Sequence, residues 1–384
     1  MIVVVLIHYP ENELRPVGGP SGYLYGLSMG LSSIGASDYR FLPAVAPEPV
    51  YRSFLRKLAP RCVLKKRALS RVLSMPDANS DETIDYHMFE AVHFHSTMDL
   101  YAHRNGLAGY RGKVVLTSHT PCMPAKEVVD GLNLSNASFE ESIISRLAII
   151  DEYAFERADY IVFPCLEAEE PYYHTWSEYK NVRMDSKIRY LPTGIAKCIA
   201  KEKREDVRSR YGIPSDAFVV CYIGRHNHIK GYDILSNAAN DILADGNTWV
   251  LIAGNSGPLC PPEHERWIEV GWTDDPHSIV NAADVFVLPN RETYFDLVML
   301  EVLSLGKVVL ASKTGGNKFF DQFGSEGILL YEGIDGLMSG IDMLRAASPS
   351  TRARWGRENE RLYEQRFTLE SFACSYDRLM RELL

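Results

Sequence analysis

Short apolar runs recur along the chain at 2–7, 91–94, 114–117, 160–163, 218–223, 250–253, 285–288 and 308–311. Each is closed by a polar or glycine-bearing turn and followed by a longer amphipathic stretch. Near-continuous Val, Ile and Leu over so few positions is what a parallel strand buried on both faces requires. Alternation of such strands with helices predicts an α/β protein with doubly wound parallel sheets, and eight or more strands suit two sheets better than one. The pattern breaks at Leu191-Pro192-Thr193-Gly194 and through the charged stretch 197–210, before a fresh strand at Phe218. The predicted domains are therefore 1–195 and 205–368. A last helix over 369–384 carries Phe372, Tyr376 and Leu379 on one side; its pattern alone lets it cap either domain.

Composition narrows the picture. With 384 residues, 46% of them hydrophobic, the chain exceeds the roughly 250–300 residues at which one core stops growing. Lys and Arg number 41 against 50 Asp and Glu, a net charge of −9, the wrong sign for a protein that coats nucleic acid. Seven scattered cysteines without a C-x-x-C pair suit free thiols in a reducing cytoplasm better than a disulfide framework or a zinc site. The apolar start lacks a basic flank and is broken by His8, Tyr9 and Pro10, which reads as a buried first strand instead of a signal peptide. Without an apolar run near the ~18 residues of a membrane span, contact with a membrane would be peripheral.

One segment runs against the acidic total. Arg52, Arg56, Lys57, Arg61, Lys65, Lys66, Arg67 and Arg71 fall within 51–73, which holds no Asp or Glu. Tyr51, Phe54, Leu55, Leu58 and Cys62 recur there at helical spacing, interrupted by Pro60. Such a basic amphipathic segment suits an anionic membrane surface or a lipid-diphosphate acceptor. An ordinary helix with its apolar face on the N-terminal sheet has the same pattern, and both readings stay open.

The segment Val219-Val220-Cys221-Tyr222-Ile223-Gly224-Arg225-His226-Asn227-His228-Ile229-Lys230-Gly231 is a buried strand, a glycine, and two cations five residues apart before a helix. Fixed cations beside strand-end amides can seat a diphosphate through charge-assisted hydrogen bonds. Solvated loop charges are the plain alternative. Downstream, strand 285–288 leads through Thr293-Tyr294-Phe295-Asp296-Leu297-Val298-Met299-Leu300-Glu301 into a helix, whose first unpaired N–H groups could complete the seat. Glu301 falls among apolar neighbours, where a carboxylate needs a ligand diol or a neighbouring donor.

These blocks, with Ala253-Gly254, Gly271, Ala283-Asp284 and Thr314-Gly315-Gly316, resemble the C-terminal domain of retaining GT-B glycosyltransferases of family 4. The first half is similar too, in Val17-Gly18-Gly19, Val92-His93-Phe94-His95, Thr117-Ser118-His119-Thr120, Ala158-Asp159 and Leu191-Pro192-Thr193-Gly194-Ile195. The resemblance covers nearly the whole chain. It implies two Rossmann-like domains facing a cleft, with the C-terminal helix crossing back to the N-terminal domain. It further implies Arg225 and Lys230 on the donor diphosphate, His119 on the donor sugar, Glu301 on the ribose hydroxyls, and Gly18 and Gly19 allowing close backbone approach. Thr293, Asp296, Leu297 and Val298 join them as donor-binding positions.

Two departures stand out. The family pattern has two glutamates seven residues apart, but Thr293 stands where the first would be and Glu292 lies one position early. Asp296 replaces a small glycine; it meets donor hydroxyls in the absent Glu's place or simply caps a helix. The chain has no Asp-x-Asp, so no metal or other cofactor is expected. Its two His-x-His pairs, His93/His95 and His226/His228, read as strand-end and loop histidines, since spacing assigns no third ligand. The absence of G-x-G-x-x-G disfavours a nicotinamide dehydrogenase.

The resemblance implies a retaining, metal-independent, hexosyltransferase-type enzyme acting from a nucleotide diphosphate sugar, UDP-sugar favoured, on a glycan or lipid-linked acceptor. The expected setting is cytoplasmic surface polysaccharide assembly, with peripheral contact at the inner membrane face. A weakly catalytic nucleotide-sugar-binding subunit and a GT-B sugar-nucleotide epimerase are the alternatives.

Overall fold

The computed structural model describes residues 4–10, 14–15, 19–42, 61–80, 84–255 and 257–384, with side chains described from 64 in the helix that starts at 61. Unit 1 takes its residues from Met1–Pro164, Pro171–Pro192 and Ala373–Leu384, and unit 2 from Cys165–Glu170 and Thr193–Phe372.

Unit 1 holds a six-stranded parallel sheet in the order β2-β1-β3-β4-β5-β6. Its strands are β1 (Val5–His8), β2 (Tyr39–Phe41), β3 (Ala91–Phe94), β4 (Lys113–Leu116), β5 (Tyr160–Phe163) and β6 (Ile188–Tyr190). Unit 2 repeats the plan with β7 (Phe218–Ile223), β8 (Thr248–Ala253), β9 (Trp267–Gly271), β10 (Val285–Leu288), β11 (Val308–Ser312) and β12 (Ile328–Tyr331). Their order, β12-β11-β10-β7-β8-β9, is that of a dinucleotide-binding sheet, reversing between β7 and β10. The two parallel α/β sheets are the GT-B class that the resemblance implies.

The eight runs read from the sequence are the eight inner strands. Strands β2, β6, β9 and β12 are the edges and are not among those runs. For β2, β6 and β9 the reason is burial: β1, β3 and β10 are buried at every position, whereas β2 has no buried residue and β6 and β9 one each; β12 is apolar throughout although only Tyr331 is buried. An edge strand covered on fewer sides can mix polar with apolar residues.

The two units share a register device. Asp159 and Asp284 stand just before β5 and β10, and each clasps the neighbouring strand twice. Asp159 donates its N–H to Val114 O and accepts the Val114 N–H on Oδ2, both at 2.8 Å. Asp284 does the same with Val219 at 2.8 and 2.9 Å, and its carboxylate also receives Arg204 and Arg208 at 2.8 Å. The Ala-Asp pairs of the sequence are thus strand clamps. A buried carboxylate is tolerated there because cations and an amide compensate it.

The last helix, Leu369–Leu383, belongs to unit 1 from Ala373 onward. Tyr376 shares a 2.9 Å hydrogen bond with His93 Nδ1, and Asp377 accepts the Tyr39 hydroxyl at 2.7 Å. That settles its placement in favour of the N-terminal side. Cys165–Glu170 is grouped with unit 2, whereas the sequence reading kept 1–195 continuous; there Glu170 pairs with Lys318.

Candidate functional site

In an open α/β sheet the natural ligand crevice lies at the carboxyl ends of the strands where the order reverses. In unit 2 that point is flanked by the loops after β7 and β10. Gly231 joins them: its φ is +67°, and a Cβ there would fall 1.7 Å from Pro289 O. Any side chain would push the loops apart. Their contact brings Lys230 Nζ to 2.6 Å from Asp296 Oδ2, and Asn290 Nδ2 donates to the same oxygen at 2.9 Å.

Asp296 occupies the N-cap position of the helix Leu297–Ser304 but makes no capping hydrogen bond of ordinary geometry. The helix-cap alternative therefore gives its position and not its partners. Burial raises the Asp296 pKa, but Lys230, Asn290 and the nearby Val298 amide outweigh it and hold the carboxyl below its usual range. Leu297 and Val298 form the first turn, where helix geometry leaves amides without intrahelical acceptors. Arg225 is exposed and makes no ion pair among the described residues; its carbonyl accepts the Tyr222 hydroxyl at 2.8 Å. The two cations of the loop thus differ: Lys230 is engaged and Arg225 is open.

Thr293 is buried at 3% exposure. Its carbonyl accepts the Gly316 N–H at 3.1 Å, and a Cβ on Gly315 would lie 2.1 Å from that oxygen. The Thr314-Gly315-Gly316 block is a close-packing surface for the Thr293 turn. Glu301 points elsewhere: Oε2 lies 3.6 Å from His277 Nε2. Hydrogen bonding to Cys198 and then to Glu301 overrides burial and lifts the His277 pKa to about 10. The neighbouring donor anticipated for Glu301 is this histidine, far back in sequence and without a motif to signal it. A cavity of about 800 Å³ at the ends of β10, β11 and β12 is lined by Asn290, Arg291, Lys313, Thr314, Lys318 and Tyr331 among others.

Unit 1 has its own cluster. Gly19 is the N-cap of the helix Pro20–Ser33; Gly18 lies outside the described residues. His119 adopts a positive φ of 60°, in the left-handed region that few non-glycine residues enter. Its Nε2 is 2.8 Å from His95 Nδ1, while His93 engages Thr117 Oγ1 and Tyr376 through both ring nitrogens. Burial pushes the His93 and His119 pKa values down to about 3, so both rings are neutral at physiological pH. Among the described residues, one trio could hold a metal ion: buried His8, Asp99 and His103, whose ligand atoms lie within 4.8 Å of one another. Neither His-x-His pair belongs to it. His226 stacks on Tyr232 with centroids 4.0 Å apart, and His228 lies 3.2 Å from Asp233.

Of the basic segment, Arg56 and Lys57 lie outside the described residues. Arg61 opens the helix Arg61–Ser74, on which Lys65, Lys66, Arg67 and Arg71 are exposed and Val72 is buried.

Residues 217–345 match the family model for glycosyl transferases group 1. Unit 2 is thus similar, over these residues, to group 1 glycosyl transferases. A curated relative, the D-inositol 3-phosphate glycosyltransferase 1 of Catenulispora acidiphila, is 32% identical over 164 residues, 34% of this chain and 36% of that protein. The chain thus aligns with about a third of that relative's length. Sucrose-phosphate synthase from Thermosynechococcus elongatus has the same fold, with a TM-score of 0.66 at 19% identity over 100% of this chain and 99% of that one. Anabaena Alr3699/HepE in complex with UDP-glucose has a TM-score of 0.61 at 13% identity, covering 100% of both chains. The residues matched by the family model include Lys230 and Asp296. No helix among the described residues is long and apolar enough to cross a membrane.

Proposed function

We propose that this protein is a retaining, metal-independent glycosyltransferase of the hexosyltransferase type. It would move a sugar from a nucleotide diphosphate sugar, with UDP-sugar as the donor class, to a glycan or lipid-linked acceptor. The observation that carries this reading is the switch-point seat of unit 2, where Lys230, the open Arg225 and the first amides of Leu297–Ser304 are arranged for an anion.

In this reaction the donor C1–O bond to the diphosphate breaks. A new C1–O bond to the acceptor oxygen forms on the same face, and the acceptor proton leaves with the diphosphate. The negative charge growing on the leaving group is what the protein must stabilise, and preorganised cations and amides do so without reorganisation. In unit 1, His119 offers a neutral imidazole, suited to sugar hydroxyls and not to phosphate. The adjoining cavity, about 800 Å³, is of ligand size. The relative named for glycosyl transfer and the UDP-glucose complex of the fold neighbour support the donor class. The exposed cations of the helix Arg61–Ser74 support an anionic acceptor surface, and we place the enzyme in the cytoplasm, at the inner face of the membrane, in surface polysaccharide or glycoconjugate assembly.

A second reading rests on Thr293, which is buried and stands where the family pattern has an acid: a nucleotide-sugar-binding subunit of a glycosyltransferase complex with little turnover of its own. Thermal-shift titration with UDP-, GDP- and ADP-sugars tests donor binding. A true donor at 100 times its Kd should raise the Tm by roughly 5 °C, and no shift with any of them would overturn both readings. Product formation by the chain alone then separates the enzyme from the subunit.

A further inference from the structure

The Lys230 ammonium does not wait for its ligand as a bare charge. Asp296 Oδ2 already receives Lys230 Nζ at 2.6 Å and Asn290 Nδ2 at 2.9 Å, at the N-terminus of the helix Leu297–Ser304. A carboxylate oxygen is there held by a cation and an amide donor beside a helix N-terminus, a setting that a phosphate oxygen would also use. The side chain of Asp296 is only 13% exposed, so water replaces these partners poorly when they are withdrawn.

We propose that Asp296 is a resident anion on the Lys230 seat and that it makes the site prefer an intact nucleotide sugar over the free nucleoside diphosphate. The inference rests on the donor-diphosphate reading above. An incoming diphosphate must take Lys230 from Asp296 or share it, and in either case the carboxylate stays close enough to repel it. Repulsion grows with ligand charge. The outer phosphate of a nucleotide sugar is a diester with one charge. In the free diphosphate the same phosphate is terminal, joined only through the anhydride oxygen, and carries about −1.5 to −2 at pH 7. The resident carboxylate therefore penalises the product more than the donor, and hastens its release. Arg225, exposed and outside this ion pair, attracts both ligands and the free diphosphate more strongly, so the preference for the nucleotide sugar comes from the carboxylate.

Isothermal titration of UDP and UDP-glucose, with the GDP and ADP pairs in parallel, into the full chain and into Asp296→Asn tests the proposal. Asp296→Asn keeps the shape and removes the charge. Free diphosphate should tighten on the order of tenfold and nucleotide sugar by about threefold or less, so that the ratio of their Kd values collapses. Asp296→Gly should give the same collapse, and it stands in if the Asn variant fails to fold. Equal changes for both ligands, or weaker binding of the free diphosphate, would overturn the inference while leaving the donor site intact. If Lys230→Ala binds the free diphosphate as tightly as the unaltered chain, the diphosphate assignment falls, and the inference with it.

Discussion

The two units present opposite electrostatics at the same topological address. Each opens at the carboxyl ends of parallel strands where the sheet order turns back, between β1 and β3 in unit 1 and between β7 and β10 in unit 2. Unit 2 places charge there: the Lys230–Asp296 pair and the exposed Arg225. Unit 1 places neutral polarity there, with His93, His95 and His119 all held well below their ordinary pKa by burial. A shared fold is thus divided by chemistry. In the function proposed above, the first switch point would compensate phosphate charge, and the neutral histidines of the other would exchange hydrogen bonds with hydroxyls.

The largest effect should come from removing the charge. Lys230→Ala and Arg225→Ala should each lower turnover by about 10²–10³, the loss typical of one preorganised donor to a developing oxyanion. They should differ in stability. Lys230→Ala strands the Asp296 carboxylate and should destabilise by about 1–3 kcal/mol, whereas Arg225→Ala breaks no ion pair among the described residues and should leave the urea midpoint nearly unchanged. Near-normal turnover in both variants would remove the charged half of the comparison.

The next effect lies in pH. His93 and His119 have folded pKa values of about 3 against an ordinary 6.5. Between those values the unfolded chain binds more protons than the folded one, so stability falls as pH drops from 6.5 toward 3. In the same unit Asp151 is lifted to about 7 by burial; it is protonated in the fold below that and works in the opposite direction over pH 4–7. Three depressed histidines outnumber it. In unit 2 a single histidine among the described residues, His226, is lowered by burial, and the depressed carboxyls of Asp233, Asp284 and Asp296 lose their contribution only as pH falls below about 4. Hydrogen exchange at pH 7 and pH 4.5 should therefore show unit 1 loosening first. Equal protection in both units at pH 4.5 would erase the distinction between them.

What the sequence made legible follows from burial and from locality. The inner strands could be read because a strand covered on both faces tolerates little but Val, Ile and Leu, as at Val285–Leu288. The edges Tyr39–Phe41 and Ile188–Tyr190 could not, because an arginine interrupts each, whereas Ile328–Tyr331 is an apolar run of the same kind that the eight omit. Lys230 was legible as a cation in a strand-end loop. Its engagement by Asp296 was not, since the two lie 66 residues apart and meet only because Gly231 lets the loops touch. The basic stretch was legible as charge, and of it the described residues include the helix Arg61–Ser74. His277 left no signal: a lone histidine in the first turn of the helix Pro276–Ala282 acquires meaning only from Cys198 and Glu301, distant in sequence.

That pair supplies the smallest expected effect and the finest probe of the charged region. Glu301 and His277 are 3.6 Å apart with side chains 32% and 28% exposed, so Glu301→Gln should shift stability by less than ~1 kcal/mol. The sign follows from His277, whose folded pKa of about 10 lies above its ordinary 6.5 through Cys198 first and Glu301 second. A raised histidine stabilises fully below 6.5 and loses that contribution as pH rises through 10. The difference between Glu301→Gln and the unaltered chain should accordingly be greatest near neutrality and vanish above pH 10. A ribose-binding role predicts something more: the KM for the nucleotide sugar should rise about three- to tenfold while kcat holds, the mark of binding shared by ground and transition states. An unchanged KM with a measurable stability loss would reduce Glu301 to the partner of His277 and confine the donor contacts of unit 2 to the loops after β7 and β10.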